Sequence, residues 1–456
     1  MSSDNHNPLS LAKTSLSSFL LYFIASASLY GVFLYCRGFG WDGDSLISAT
    51  QFVKLVNPSI YGLYDGGSQP KLLTIVVFGA VYQLTHNFEY LTLLAIFLNA
   101  FMVAALCCWV RALNGACWIA FLGFSVNIDW YQIVINCDNP AFSIPFAFIG
   151  LYLYFHLHRE SAGVILLLVS SLFRPGAEII LLFILFLRLI KRDKGKKETL
   201  VVILALIIGV LHSVYGYLLA YPTKEAFLSA CVTYFPEAAS QIAKFRHSPL
   251  VLFPYLKTVI WQASKPNIML FLPFAVVGTF NIFRDNISIK YLGLGILSTL
   301  ILPAGAFVYG VINNIDTQKI MEYTFVYPAF AAFSLHHSAA IFHFTKHKLL
   351  KYVLVTLASL CVVLFVIDSG LRLKGKYEVN PNGTGLIPWR QITIQEFDVN
   401  GVLPPPDHFN ALIPRKHFVF FVLDYGMRAK NIRFIEESSS DELEYYKFDI
   451  VVRPRR

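Results

Sequence analysis

Asp42 and Asp44 stand in the stretch Gly40-Trp41-Asp42-Gly43-Asp44-Ser45, just past an apolar run at Leu16–Cys36. That run is long enough to cross a bilayer. Acidic side chains fixed at such a mouth must be solvated, paired or metal-bound. Two carboxylates one residue apart could share a divalent cation such as Mg or Mn, or one could act as a base while the other tunes it. An ordinary polar loop accounts for the same residues. Further along, Gln69-Pro70-Lys71-Leu72 places a lysine that could meet a phosphate as a point charge. It could equally anchor the chain at lipid headgroups.

Three more clusters carry polar chemistry between apolar runs. In Asn136-Cys137-Asp138-Asn139-Pro140, Pro140 suits the first position of a helix, and Asp138 or Asn139 could cap it or contact a substrate. In Phe173-Arg174-Pro175-Gly176-Ala177-Glu178, an arginine at membrane depth needs a partner or an anion. Glu178 lies about one helical turn further on, so a structural pair and a ligand site both fit. The third cluster, Lys244-Phe245-Arg246-His247-Ser248-Pro249, falls in a long loop on the side where basic residues are normally sparse, and anionic ligands or headgroups would suit it. His336-His337 reads as a packed pair within a span.

The elements that must position these residues follow from composition. The chain is 56% hydrophobic and 14% charged, against roughly 25% charged in soluble domains. It reads as an α-helical polytopic membrane protein of about eleven spans, plus a short juxtamembrane helix and a small C-terminal extramembrane α/β cap. Predicted spans are Leu16–Cys36, Glu89–Val110, Ala112–Ile128, Pro140–Leu157, Ala162–Phe173, Gly176–Ile190, Val201–Tyr221, Asn267–Phe283, Tyr291–Val311, Tyr323–His343 and Tyr352–Ile367. Lys71–Thr85 is too short to cross and reads as a helix lying in or along the outer leaflet. The first run has no small-residue cleavage signature and is read as a retained helix.

Charge sets the orientation. With the N-terminus inside, Arg111, His158-Arg159, the run from Arg188 to Lys197, Arg284 with Lys290, and Lys346, Lys348 and Lys351 fall on the cytoplasmic side, as the positive-inside rule requires. The formal net charge of +9 therefore reflects topology, and no nucleic-acid partner is implied. The seven cysteines show neither metal-ligand spacing nor a disulfide framework. Residues 1–368 form the expected membrane domain, with a first outer loop at 37–88; residues 369–456 form the expected non-cytoplasmic domain. Within the latter, His417–Leu423 and Phe448–Val452 have strand composition.

The order of these pieces resembles polyprenyl-phosphate-sugar glycosyltransferases of the multi-span C-type fold, the broad class of protein O-mannosyltransferases and aminoarabinose transferases. Asp42-Gly43-Asp44 followed by Gln69-Pro70-Lys71-Leu72 resembles the family's acidic pair, amphipathic helix and step into a short helix. The family pair is adjacent, whereas Gly43 separates the two here. Asp138-Asn139-Pro140 through Arg159, then Arg174 to Glu178, then Glu322-Tyr323-Thr324-Phe325-Val326-Tyr327-Pro328 are similar to its later motifs.

The resemblance implies inverting transfer of a sugar from a polyprenyl phosphate to a lipid or glycan acceptor. Asp44 would be the general base, with Asp42 orienting it or helping to hold a metal. Lys71, Arg174 and Arg246 would receive the donor phosphate, and Asp138, Asn139, Glu178 and Tyr323 would contact substrate. A bacterial inner membrane, with the N-terminus cytoplasmic and the C-terminus periplasmic, is the expected location. An O-antigen polymerase or ligase would instead depend on outer-loop arginines. A transporter would place charges in mid-span, where most of these runs have none.

Overall fold

The computed structural model describes residues 8–37, 43–56, 71–112, 117–174, 177–190, 195–220, 356–357, 359–360, 363–371, 397–400, 409–413, 432–436 and 450–454. Ten helices come first: α1 (Pro8–Arg37), α2 (Gly43–Val56), α3 (Leu72–Thr85), α4 (Glu89–Ala112), α5 (Cys117–Ser125), α6 (Ile128–Ile135), α7 (Asn139–Phe155), α8 (Glu160–Phe173), α9 (Ala177–Ile190) and α10 (Lys196–Ala220). Three carry windows long and apolar enough to cross a membrane: Leu16–Cys36, Glu89–Ala112 and Lys196–Tyr215. The chain is thus a helical protein with membrane-type spans. The predicted spans from Asn267 to His343 lie outside the described residues.

Burial separates these helices into inner and outer ones. The window in α4 is 72% buried, against 11% in α1 and 22% in α10, so α4 is central and the other two flank the bundle. Leu16, Leu20, Leu21 and Ile24 of α1 and Ile207, Ile208, Leu211 and Val214 of α10 are exposed. A long helix with an apolar outer face suits hydrocarbon rather than water as its surroundings.

Named contacts give the direction of each helix relative to its neighbour. Phe19 packs on Phe101 with ring centroids 4.8 Å apart and Phe23 on Phe97 at 5.4 Å, so α1 and α4 run antiparallel. Arg111 continues that pairing by donating to Ser18 Oγ at 2.7 Å. Between α4 and α7 the pairing is parallel: Asn99 Nδ2 donates to the Ala141 carbonyl at 2.8 Å, and Trp109 meets Tyr152 further down. Ser170 Oγ donates to the Ser143 carbonyl at 2.7 Å and Phe142 stacks on Phe173, so α8 returns antiparallel to α7. Near the other end of that pair, a Cβ on Gly163 would come within 2.6 Å of the Gly150 carbonyl oxygen. Two glycines there let the backbones approach closely.

α3 does not cross this bundle. Its first turn meets the last residue of α8, with Thr74 Oγ1 donating to the Phe173 carbonyl at 3.0 Å. Its middle meets the first turn of α7 through Phe78 and Phe142. Its last turn meets the entry to α4 through Tyr82 and Phe88. All three partners sit at one end of the bundle, so α3 lies across that end, as its length of 14 residues suggests. α2 packs on α3, with Phe52 pressed where a side chain on Gly79 would stand.

One predicted span is corrected. The run at Ala112–Ile128 is not one continuous crossing helix: α5 ends at Ser125 and α6 starts at Ile128. Asn127 Oδ1 accepts from the Trp130 backbone N–H at 3.3 Å, a cap that starts a new helix inside apolar sequence. Helical backbone returns at 363–371. Four strands follow: β1 (Phe397–Asn400), β2 (Phe409–Ile413), β3 (Ile432–Glu436) and β4 (Ile450–Pro454), in the order β1-β4-β2-β3. β1 is antiparallel to β4 (Phe397 opposite Pro454), while β2 is parallel to both β3 and β4. β4 overlaps the expected strand Phe448–Val452; His417–Leu423 lies outside the described residues.

Candidate functional site

The end of the bundle crossed by α3 gathers five of the residues singled out from sequence. Lys71 directly precedes α3, and Arg174 follows α8 with an extended backbone (φ −157°, ψ 129°). Because Thr74 of α3 bonds the Phe173 carbonyl, the two basic residues flank the same helix–helix contact. Glu178 sits in the first turn of α9, where a carboxylate opposes the positive end of the helix dipole. Its Oε1 accepts from Ser171 Oγ of α8 at 2.9 Å and Ser213 Oγ of α10 at 3.0 Å. A carboxylate shared by two serines ties three helices together next to Arg174.

Asp138 and Asn139 join the same end through α7, whose first turn lies against the last turn of α8. Here the expected cap is corrected. Asp138 occupies the N-cap position, yet its carboxylate makes no capping hydrogen bond. Asn139 is the first helical residue, which puts Pro140 second. Asn139 is 3% exposed, and its Oδ1 meets no hydrogen-bond partner among the described residues. Such an acceptor costs about 1–3 kcal/mol when left dry. Beside it, Cys137 adopts φ 54° and its thiol contacts Thr92 Oγ1 at 3.3 Å. Burial pushes that thiol up to about 12, so Cys137 stays protonated at neutral pH.

The remaining candidates lie beyond these contacts. Asp44 falls in the first turn of α2, described in its backbone alone, while Asp42, Arg246 and Tyr323 lie outside the described residues. The Asp42–Asp44 carboxylate pair, and the Mg or Mn it would share, therefore belong to the same undescribed part. No group of three or more potential metal ligands occurs among the described residues.

The chain matches no protein-family model and no curated protein.

The residue that sequence reasoning passed over is His212. It lies on α10, 7% exposed, and its Nε2 accepts from the Leu72 backbone N–H at 3.1 Å. Leu72 is 140 residues away in the chain, and a lone histidine in an apolar run carries no spacing signal. What could have flagged it is the stripe Gly209, His212, Ser213, which falls on one helical face amid the outward-facing Ile207, Ile208, Leu211 and Val214. Gly209 belongs to the same contact: a Cβ there would stand 2.9 Å from Ser171 Oγ and 3.0 Å from Glu178 Cγ.

Proposed function

We propose that this chain is a membrane glycosyltransferase that moves a sugar from a polyprenyl phosphate to a lipid or glycan acceptor. The observation that carries the reading is the convergence of Lys71, Arg174, Glu178, Asp138 and Asn139 at one end of the bundle, with α2 packed on α3. Two cationic side chains and a short helix N-terminus in that neighbourhood suit a phosphate. A lipid-linked donor would reach them by lateral diffusion.

In the reaction, the acceptor oxygen attacks the anomeric carbon as the bond from that carbon to the phosphate oxygen breaks. Asp44 takes the acceptor proton, and Asp42 orients it. The negative charge growing on the lipid phosphate is met by Lys71 and Arg174, with Arg246 supplied from the second outer loop. Glu178, Asp138, Asn139 and Tyr323 hold the sugars. The far end of the bundle, with Arg111, Arg159, Arg188 and Lys196, is the cytoplasmic one under the charge rule. In this reading the N-terminus lies in the cytoplasm of a bacterial cell and the site at the periplasmic face, with about eleven spans and a C-terminal cap from residue 369.

The test is transfer from radiolabelled polyprenyl-phosphate sugars in membranes containing wild type, Asp44→Asn or Asp42→Asn at matched expression. Asp44→Asn is expected to lower transfer by about 10²–10⁴-fold, the usual weight of a general base. Lys71→Ala should reduce it less. Full activity in both aspartate variants would remove the base and favour a polymerase or ligase that relies on outer-loop arginines.

A further inference from the structure

Helix α3 begins without a cap of its own. Lys71 holds the N-cap position and makes no side-chain capping hydrogen bond, so the first N–H groups of α3 need acceptors from elsewhere. His212 supplies one from α10: its Nε2 accepts from Leu72, the first helical residue, at 3.1 Å. Accepting at Nε2 fixes the neutral tautomer with its proton on Nδ1. That Nδ1 has no partner among the described residues, in a side chain 93% removed from solvent by the surrounding helices. A buried polar ring is retained at a cost, and one bond to an apolar-run helix such as α3 does not by itself repay it. The position of the bond explains it better. The residue next to Leu72 is Lys71, and the residue next to His212 is Ser213, which holds Glu178.

From this placement we infer that His212 is a positioning residue for the donor phosphate. It caps α3 from α10 and so fixes Lys71 near Arg174 and Glu178. The inference rests on the glycosyltransferase reading for its ligand, but the cap itself does not. His212 acts through Lys71 and is not assigned contact with the reacting atoms.

Two substitutions separate the ring nitrogens. His212→Gln places an amide acceptor near the position of Nε2, whereas His212→Asn reaches the position of Nδ1 alone. In full-length protein in lipid nanodiscs, two readouts are taken: hydrogen exchange at the Leu72 amide, and binding of polyprenyl phosphate without a sugar. Expected for His212→Asn is fast exchange at Leu72 and an affinity about tenfold weaker, with His212→Gln close to wild type in both. In the transfer assay the Asn variant should raise KM for the donor and leave kcat nearly unchanged.

If His212→Asn does not accumulate as folded protein, Leu72→Pro removes the donor side of the same bond. It also presses Lys71 from ψ 48° toward extended backbone, so only retained affinity is decisive there. Proline removes the amide donor and is tolerated at the first helical position, and Leu72 is exposed. Unchanged exchange in His212→Asn, or wild-type lipid affinity in Leu72→Pro, overturns the positioning role. Wild-type protein that binds no polyprenyl phosphate overturns the ligand and the glycosyltransferase reading together, while the exchange data still decide whether the cap exists.

Discussion

Arg188, at one end of the bundle, donates to Tyr154, Glu160, Thr199 and the Gly195 carbonyl, whereas at the other end the buried Asn139 Oδ1 and His212 Nδ1 meet no partner among the described residues. Both ends are built from the same kinds of helix termini. At the first, α7, α8, α9 and α10 are clamped by one guanidinium that is 6% exposed, and the α7–α8 backbones touch through Gly150 and Gly163. At the second, α7 starts on an aspartate that does not cap it and α3 starts on a lysine that does not cap it. At that end the helix starts rely on groups other than their own N-cap side chains. The difference is what distinguishes a structural end from a candidate site.

The largest expected effect lies at the structural end. Arg188→Ala leaves Tyr154 and the half-buried Glu160 without their shared donor, and losing charge-assisted bonds of this kind costs about 1.5–3 kcal/mol. The apparent unfolding temperature in detergent should fall sharply, while transfer per folded molecule stays near wild type. A variant with wild-type melting would show that the clamp is dispensable and remove half of the contrast.

A middle-sized effect tests the backbone contact at the same end. Gly163→Ala would push a methyl to 2.6 Å from the Gly150 carbonyl oxygen and 2.8 Å from Tyr154 Cβ. Backbone cannot yield as a flexible side chain does, so a loss of about 1–3 kcal/mol follows. Thermal melts of Gly163→Ala against Gly31→Ala, where a Cβ has open space, measure it. Equal melting of the two would show that the helices can part without cost.

Sequence patterning reached this architecture unevenly. The short apolar stretch Lys71–Thr85 folds as the helix α3 (Leu72–Thr85), and Glu89–Val110 as the long apolar helix α4 (Glu89–Ala112), because length and charged flanks are local properties. Arg174 and Glu178 are legible as polar residues between two apolar runs for the same reason, while Pro175 and Gly176 between them lie outside the described residues. Asn127 is not legible: its cap sits inside a hydrophobic stretch that reads as continuous. His212 is not legible either, since its meaning lies in a bond to Leu72 across 140 positions. Arg188 reads in sequence as a topological charge, whereas its four partners come from three helices and the stretch before α10. Periodicity reports what faces lipid or core; it does not report which polar group on one helix finishes another.

The smallest expected effect separates the two ends most directly. An N-cap aspartate normally contributes about 0.5–2 kcal/mol, through its side-chain bond to the first helical N–H groups. Asp138 stands at the N-cap of α7 without that bond, and the turn is closed instead by backbone, with the Ala141 N–H bonded to the Asp138 carbonyl at 2.8 Å. Asp138→Ala retains that backbone bond, so the loss of about 0.5–2 kcal/mol that follows removal of a side-chain cap should be missing from its melt. The same variant should weaken donor or acceptor binding, because the carboxylate stands at the end where Lys71, Arg174 and Glu178 gather. Melting temperature and KM are therefore read on one preparation. A stable variant with raised KM assigns Asp138 to the site. A variant that melts early with unchanged KM would return it to the role of an ordinary cap.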